Sequence, residues 1–186
     1  MYWFKRCLLI AAICFCSCQG AVKDVPGNVP EQVFDLKSFF EAETERLTND
    51  KSCRLKRTTN IDGKEEMSRV SSPNWSALLK PFLDSDINKP TWLENYRFEE
   101  SEQSGNKVYR YRSAVEKMKT QDLQIVFKGK SDVVKSVGIT NVANNFILSS
   151  SENLHYLASP TSFTIEKSQQ YFFFAPQSID ISGSCN

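Results

Sequence analysis

Histidine is almost absent from this chain: its 186 residues carry one, His155. A single imidazole cannot build a histidine-based zinc cluster. His155 lies in Asn153-Leu154-His155-Tyr156-Leu157, a strand pattern that puts it on the face opposite Leu154 and Tyr156 and so on the surface. No GxSxG elbow, P-loop or GxGxxG occurs, so the motif-borne routes to acyl transfer, phosphate cradling and dinucleotide binding are missing. Charge of one sign is lacking too. The 23 Lys and Arg offset 22 Asp and Glu to a net +1, without long blocks, so nothing points to nucleic acid. No apolar run approaches the ~20 residues of a spanning helix.

What is present starts at the N-terminus. Lys5 and Arg6 precede the apolar run from Cys7 to Phe15, and Ser17 stands before Cys18. That is the layout of a secretory signal ending in a lipid-accepting cysteine. Cys16, Cys14 and Cys7 follow Phe15, Ile13 and Arg6, which are too bulky or charged for the position before the cleaved bond. Cys18 is therefore the expected acylation site, although Phe15 replaces the commoner leucine of a lipobox. Two or more acyl chains hold a protein stably at a membrane. Residues 1–17 read as the signal, 18–30 as a tether rich in Gly and Pro, and 31–186 as one domain. Removing the signal leaves 186 − 17 = 169 residues, with 23 − 2 = 21 basic against 22 acidic side chains. Gln19 in place of Asp argues for the outer membrane. Lys23-Asp24 reads as solvated linker, so the periplasmic face is expected rather than the cell surface.

Four of the six cysteines lie in the signal and at its end, leaving Cys53 and Cys185 within the domain. In an oxidising compartment an even pair is a candidate disulfide; the alternative is two buried thiols. They can pair only if the first and last strands are neighbours.

The domain begins with a helix. Asp35 is a candidate N-cap, and Phe34 and Phe39 are placed for a hydrophobic staple. Leu36, Phe39, Phe40 and Leu47 share one face, with Glu41, Glu43, Glu45 and Arg46 towards water. Cys53–Thr59 and Lys64–Val70 read as a hairpin around Asn60-Ile61-Asp62-Gly63. A second helix from Pro73 carries Trp75, Leu78, Leu79, Phe82 and Leu83 on one face, with a kink or a split last turn expected at Pro81. From Glu94 the period becomes two, through Tyr96/Phe98, Tyr109/Tyr111, Leu123/Ile125/Phe127, Val137/Ile139, Phe146/Leu148, Leu154/Tyr156, Phe163/Ile165, Tyr171/Phe173 and Ile179/Ile181. The expected fold is α+β: an antiparallel meander of nine or ten strands, curved into an incomplete barrel around two helices.

Chemistry has few footholds. Glu99, Glu100 and Glu102 are the candidate carboxylates for hydrolysis, yet they read as a charged strand end; Ser149-Ser150-Ser151 reads as a turn. Asp84-Ser85-Asp86-Ile87-Asn88 matches the first ligand positions of a calcium loop. Lys89 and Asn95 stand where glycine and glutamate are needed, and Pro90 interrupts it, so it reads as a polar helix exit. No metal or cofactor is expected.

Phe34-Asp35-Leu36-Lys37-Ser38-Phe39-Phe40 with Arg46-Leu47, and Trp75…Leu79-Lys80-Pro81-Phe82 running into Asp86–Pro90 and Trp92, resemble small uncharacterised lipoproteins of Bacteroidetes. At the level of fold the arrangement is similar to the half-barrels of the lipoprotein carrier and receptor LolA and LolB. The resemblance implies a lipidated helix–hairpin–helix–meander protein and transfers no activity to any residue. The expected function is a lipid-anchored envelope protein that binds an apolar ligand or another envelope protein without catalysis. A carboxylate-pair hydrolase and a purely structural or assembly role are the alternatives.

Overall fold

A computed structural model describes residues 33–185; the signal and the whole tether, Cys18 included, lie outside the described residues. Helix α1 (Leu36–Asn49) starts where Asp35 stops it from starting earlier. The Asp35 carboxylate accepts the Ser38 N–H at 2.8 Å and the Ser38 hydroxyl at 2.7 Å, and these bonds hold its pKa below the usual carboxylate range. Phe34 closes on Phe39 with ring centroids 5.8 Å apart, the staple that fixes the entering chain. Helix α2 (Trp75–Leu83) is capped by Asn74, which accepts the Ala77 N–H. It runs unbroken through Pro81 and ends two residues later, so the expected split does not occur. Pro81 lacks the N–H that would reach the Ala77 carbonyl, yet the helix closes beyond it, where the Asp84 N–H donates to the Lys80 carbonyl at 2.9 Å. A short helix α3 (Pro90–Leu93), not foreseen from the sequence, begins at Pro90.

Nine strands follow the helices or separate them: β1 (Leu55–Ile61), β2 (Lys64–Val70), β3 (Tyr96–Gln103), β4 (Asn106–Ser113), β5 (Thr120–Phe127), β6 (Val134–Asn144), β7 (Leu148–Ala158), β8 (Thr161–Tyr171) and β9 (Gln177–Cys185). They form one open antiparallel sheet in the order β2-β1-β9-β8-β7-β6-β5-β4-β3. Strands β3 to β9 are a plain meander. The β1–β2 hairpin is the exception: it joins the far side through β9, pairing Leu55 with Cys185 and Ile61 with Ile179. First and last strands are thus neighbours.

Three local expectations need correction. Strand β1 begins at Leu55 rather than Cys53 and runs to Ile61, because the turn needs only Asp62-Gly63, both with positive φ. Ser149–Ser151 belong to β7, paired with Gln170, Gln169 and Ser168, and do not form the turn. Phe146 and Phe173 lie in connecting loops, outside the strands. Asn145 Oδ1 accepts the N–H groups of both Ile147 and Leu148, a side-chain turn that ends the ladder before Phe146 can join it.

One face of the sheet meets α1 and α2. Leu36, Phe40, Leu47, Trp75, Leu79 and Phe82 from the helices pack with Tyr111, Leu123, Ile125, Val137, Leu154, Tyr156 and Phe163 from the strands, all fully or nearly fully buried. The centre is aromatic: Phe40 lies 4.9 Å from Phe82 and 5.2 Å from Tyr156, and Phe82 lies 6.1 Å from Tyr156. At aromatic contact distance these rings fill the space between the helices and the sheet.

Candidate functional site

The strand order decides which loops meet. Strands β6 and β8 both run towards one end of the sheet, where the 145–147 and 172–176 connections lie side by side. Leu148 pairs with Tyr171, and the Phe172 N–H donates to the Ile147 carbonyl at 2.9 Å. The Asp62-Gly63 turn reaches the same end. Its Asp62 N–H donates to the Ser178 carbonyl at 3.0 Å, and Asp62 Oδ1 accepts the Ser178 N–H at 2.7 Å.

This end is coated with exposed apolar side chains. Phe146 is 88% exposed, Phe173 82%, Phe172 74%, Phe174 70% and Ile147 49%. Phe172 and Phe173 stack edge-on at 4.8 Å, and Tyr171 meets Phe174 at 6.3 Å. No charged residue occurs from 142 to 151 or from 168 to 179. Gln170 Nε2 donates to the carbonyls of Tyr171 and Phe174, at 2.9 and 3.0 Å, tying the second loop to its strand. Chemically the tip can only bury apolar surface. The two loops carry no acid, base or nucleophile beyond hydroxyls and amides, and the nearby Asp62 carboxylate accepts the Ser178 N–H.

Beside α2, a cleft of about 420 Å³ opens between Lys80, Asp84, Lys119, Asn141, Glu152 and Lys167. Its floor is a buried polar network. Thr120 Oγ1 donates to the Ser85 carbonyl, while Asn141 Nδ2 donates to Ser85 Oγ at 2.8 Å and to Glu152 Oε2 at 2.9 Å. The two acids have other partners: Asp84 takes Lys80 Nζ on both oxygens, and Glu152 takes the Asn141 amide. Both carboxylates are occupied by positive or N–H groups, and the bonds from Thr120 and Asn141 to Ser85 tie the end of α2 to the sheet.

The candidate residues from the sequence do not converge. His155 is exposed, opposite Gly138 and Thr164. Glu99 faces Arg112 at 3.6 Å on one side of β3, whereas Glu100 and Glu102 are exposed on the other. In the calcium-like loop Asp84 is paired with Lys80, Ser85 is buried against the Pro81 carbonyl, and Asp86 accepts the Asn88 N–H. Burial raises the Asp86 pKa, which disfavours the charged form a cation would need. Among the described residues no group of three His, Cys, Asp or Glu is placed to hold a metal. Cys53 and Cys185 are joined by a disulfide, with Cα atoms 5.0 Å apart.

One polar residue was misplaced by the sequence reading. Glu43 does not face water: it accepts the Tyr156 hydroxyl and a two-pronged bond from Arg46, at 2.9 and 2.8 Å. Burial and this bond push the Tyr156 pKa far up. The signal was available. Glu43 lies three residues after Phe40 and four before Leu47, both buried, so it borders the apolar face.

Among the described residues no helix is long and apolar enough to cross a membrane. Comparison with protein families, curated proteins and solved structures finds no match to this chain.

Proposed function

We propose that this chain is a lipid-anchored protein of the cell envelope whose domain binds without catalysing, and that its working surface is the aromatic tip. The observation that carries this reading is the tip itself: four phenylalanines, each at least 70% exposed, on adjoining loops of a domain whose interior is filled. Burying one such side chain is worth about 1.5–3 kcal/mol, so leaving four in water is a standing cost to solubility that marks an interaction site. An apolar ligand is therefore taken at the tip, since aromatic rings occupy the space between sheet and helices. The anchor rests on Ser17-Cys18 behind the basic and apolar signal, with the outer membrane as its expected site.

Two experiments test the two halves. Cys18→Ala should release the chain from membranes; a variant that is cleaved and still sediments with them contradicts the anchor. A photoreactive phenylalanine analogue at position 173 should cross-link in the intact envelope, to protein or to lipid. The same group at Val133, exposed in the β5–β6 loop at the opposite end of the sheet, should not. Equal yields at both positions, or none at 173, would refute the tip as the working surface.

A further inference from the structure

We infer that the occupant of the aromatic tip is the hydrocarbon edge of the same bilayer that holds the anchor: the domain folds back on its tether and dips Phe146, Phe172, Phe173 and Phe174 into the membrane. This rests on the preceding reading of Cys18 and of the tip. Three properties of the tip favour lipid over a protein partner.

The first is backbone satisfaction. Polar groups entering hydrocarbon must bring their partners with them. Here the N–H groups of Asn145, Ile147, Leu148, Phe172 and Phe174 all donate within the two loops. The carbonyls of Ile147, Leu148, Tyr171 and Phe174 all accept there. The N–H groups of Phe146, Phe173 and Ala175 have no partner of this kind, so most but not all of the backbone of the two loops enters already bonded.

The second is shape and collar. The rings protrude, and a protruding apolar tip suits a fluid phase, whereas a protein partner would need a matching hollow. Below the rings come Tyr171, Asn144, Asn145, Gln169, Gln170 and Gln177, uncharged polar groups suited to the headgroup level, where tyrosine is enriched. With no charge on either loop, the contact requires no anionic lipid.

The third is reach. The chain enters the domain near the other end of the sheet, where Phe34 packs on Phe127 at the close of β5. Residues 18–32 number fifteen, and a chain of that length extends to at most about 50 Å. Strands β7 and β8, eleven residues each, span roughly 36 Å. The tether is long enough to let the far end return to the membrane it starts from.

The test places tryptophan in turn at positions 173 and 133, Phe173→Trp and Val133→Trp, in the full exported chain. Each variant is reconstituted in phosphatidylcholine vesicles with or without a nitroxide on the acyl chains. Both positions are exposed, so neither change touches the core. The unsubstituted chain gives the background of the other tryptophans. The added emission at 173 should shift to the blue and lose most of its intensity to the nitroxide, independently of salt, while that at 133 stays unquenched. Phe146→Trp on the neighbouring loop should repeat the result. Protein that floats with the vesicles but shows no quenching at 173, or quenching at 133 instead, overturns this inference. If cross-links from 173 then lead to protein, the broader reading stands. A chain that does not float with the vesicles at all sinks the anchor and this inference together.

Discussion

At the scale of single residues, two positions show how closely the sheet and helices are fitted. Gly183 of β9 lies opposite Phe163 of β8, and the Phe163 ring covers it. A Cβ at 183 would meet Phe163 Cε1 at 2.4 Å and Leu55 Cδ1 at 2.9 Å. Phe163 is itself wedged edge-on against Trp75 at 6.3 Å, so the ring has little room to withdraw. Gly183→Ala should therefore destabilise the domain by about 1–3 kcal/mol, the usual cost of overpacking. A fall in the urea midpoint with unchanged slope is the expected reading; an unchanged midpoint would mean that the ring moves freely. Nothing in Ser182-Gly183-Ser184 announces this contact, since a glycine in a strand is a generic weakening signal until its partner is known. Tyr156 was legible as core from its alternation with Leu154, but its bond to Glu43 was not. Helical phase places Glu43 at the border of the apolar face without saying which way it turns.

At the scale of elements, helices α1 and α2 could be read from their caps and apolar faces. The meander could be read from its two-residue period, although that period ran too far. In Phe146-Ile147-Leu148 and Tyr171-Phe172-Phe173-Phe174 the alternation itself fails, because Ile147, Phe172 and Phe174 stand where a strand of this kind would carry a polar residue. In the structure the ladders end at the Asn145 side-chain turn and at the turn in which the Phe174 N–H donates to the Tyr171 carbonyl. Those loops are the tip, and the consecutive apolar residues in them were the signal that the two-residue pattern had ended. The attachment of the β1–β2 hairpin was legible only as a condition, because pairing between strands this far apart leaves no local trace. The hairpin pairs with the rest of the sheet through β9, beside which Cys53 and Cys185 close a separation of 132 residues. In the chain-entropy treatment such a loop is worth up to about 5 kcal/mol. Replacing both cysteines with alanine should lower stability towards that extent. It should also speed hydrogen exchange in β1 and β2 before β5 to β8. Uniform exchange across the sheet would contradict a hairpin that depends on the bridge.

At the scale of the whole molecule, the filled interior has a consequence for pH. Burial raises the pKa of Tyr96 to about 12, and it raises those of Tyr111 and Tyr156 as well. The native state then keeps protons that the unfolded chain begins to release near pH ~10. Stability from these groups is complete below that point and is lost as pH rises towards and past ~12. Thermal unfolding should accordingly hold steady around neutrality and fall steeply in alkali. A midpoint that stays level through that range would mean that the three hydroxyls are not shielded.

The central claim is that this domain binds at its aromatic tip rather than inside its sheet. Titration with anilinonaphthalene sulfonate, an apolar fluorescent probe, tests it most directly on the wild type and on the variant Phe172→Ser, Phe173→Ser, Phe174→Ser. All three residues are exposed, so the variant should unfold within about 0.5 kcal/mol of the wild type. The wild type should enhance the probe's emission and the variant should lose most of that enhancement. Equal enhancement by both proteins would place the apolar site elsewhere and contradict the account.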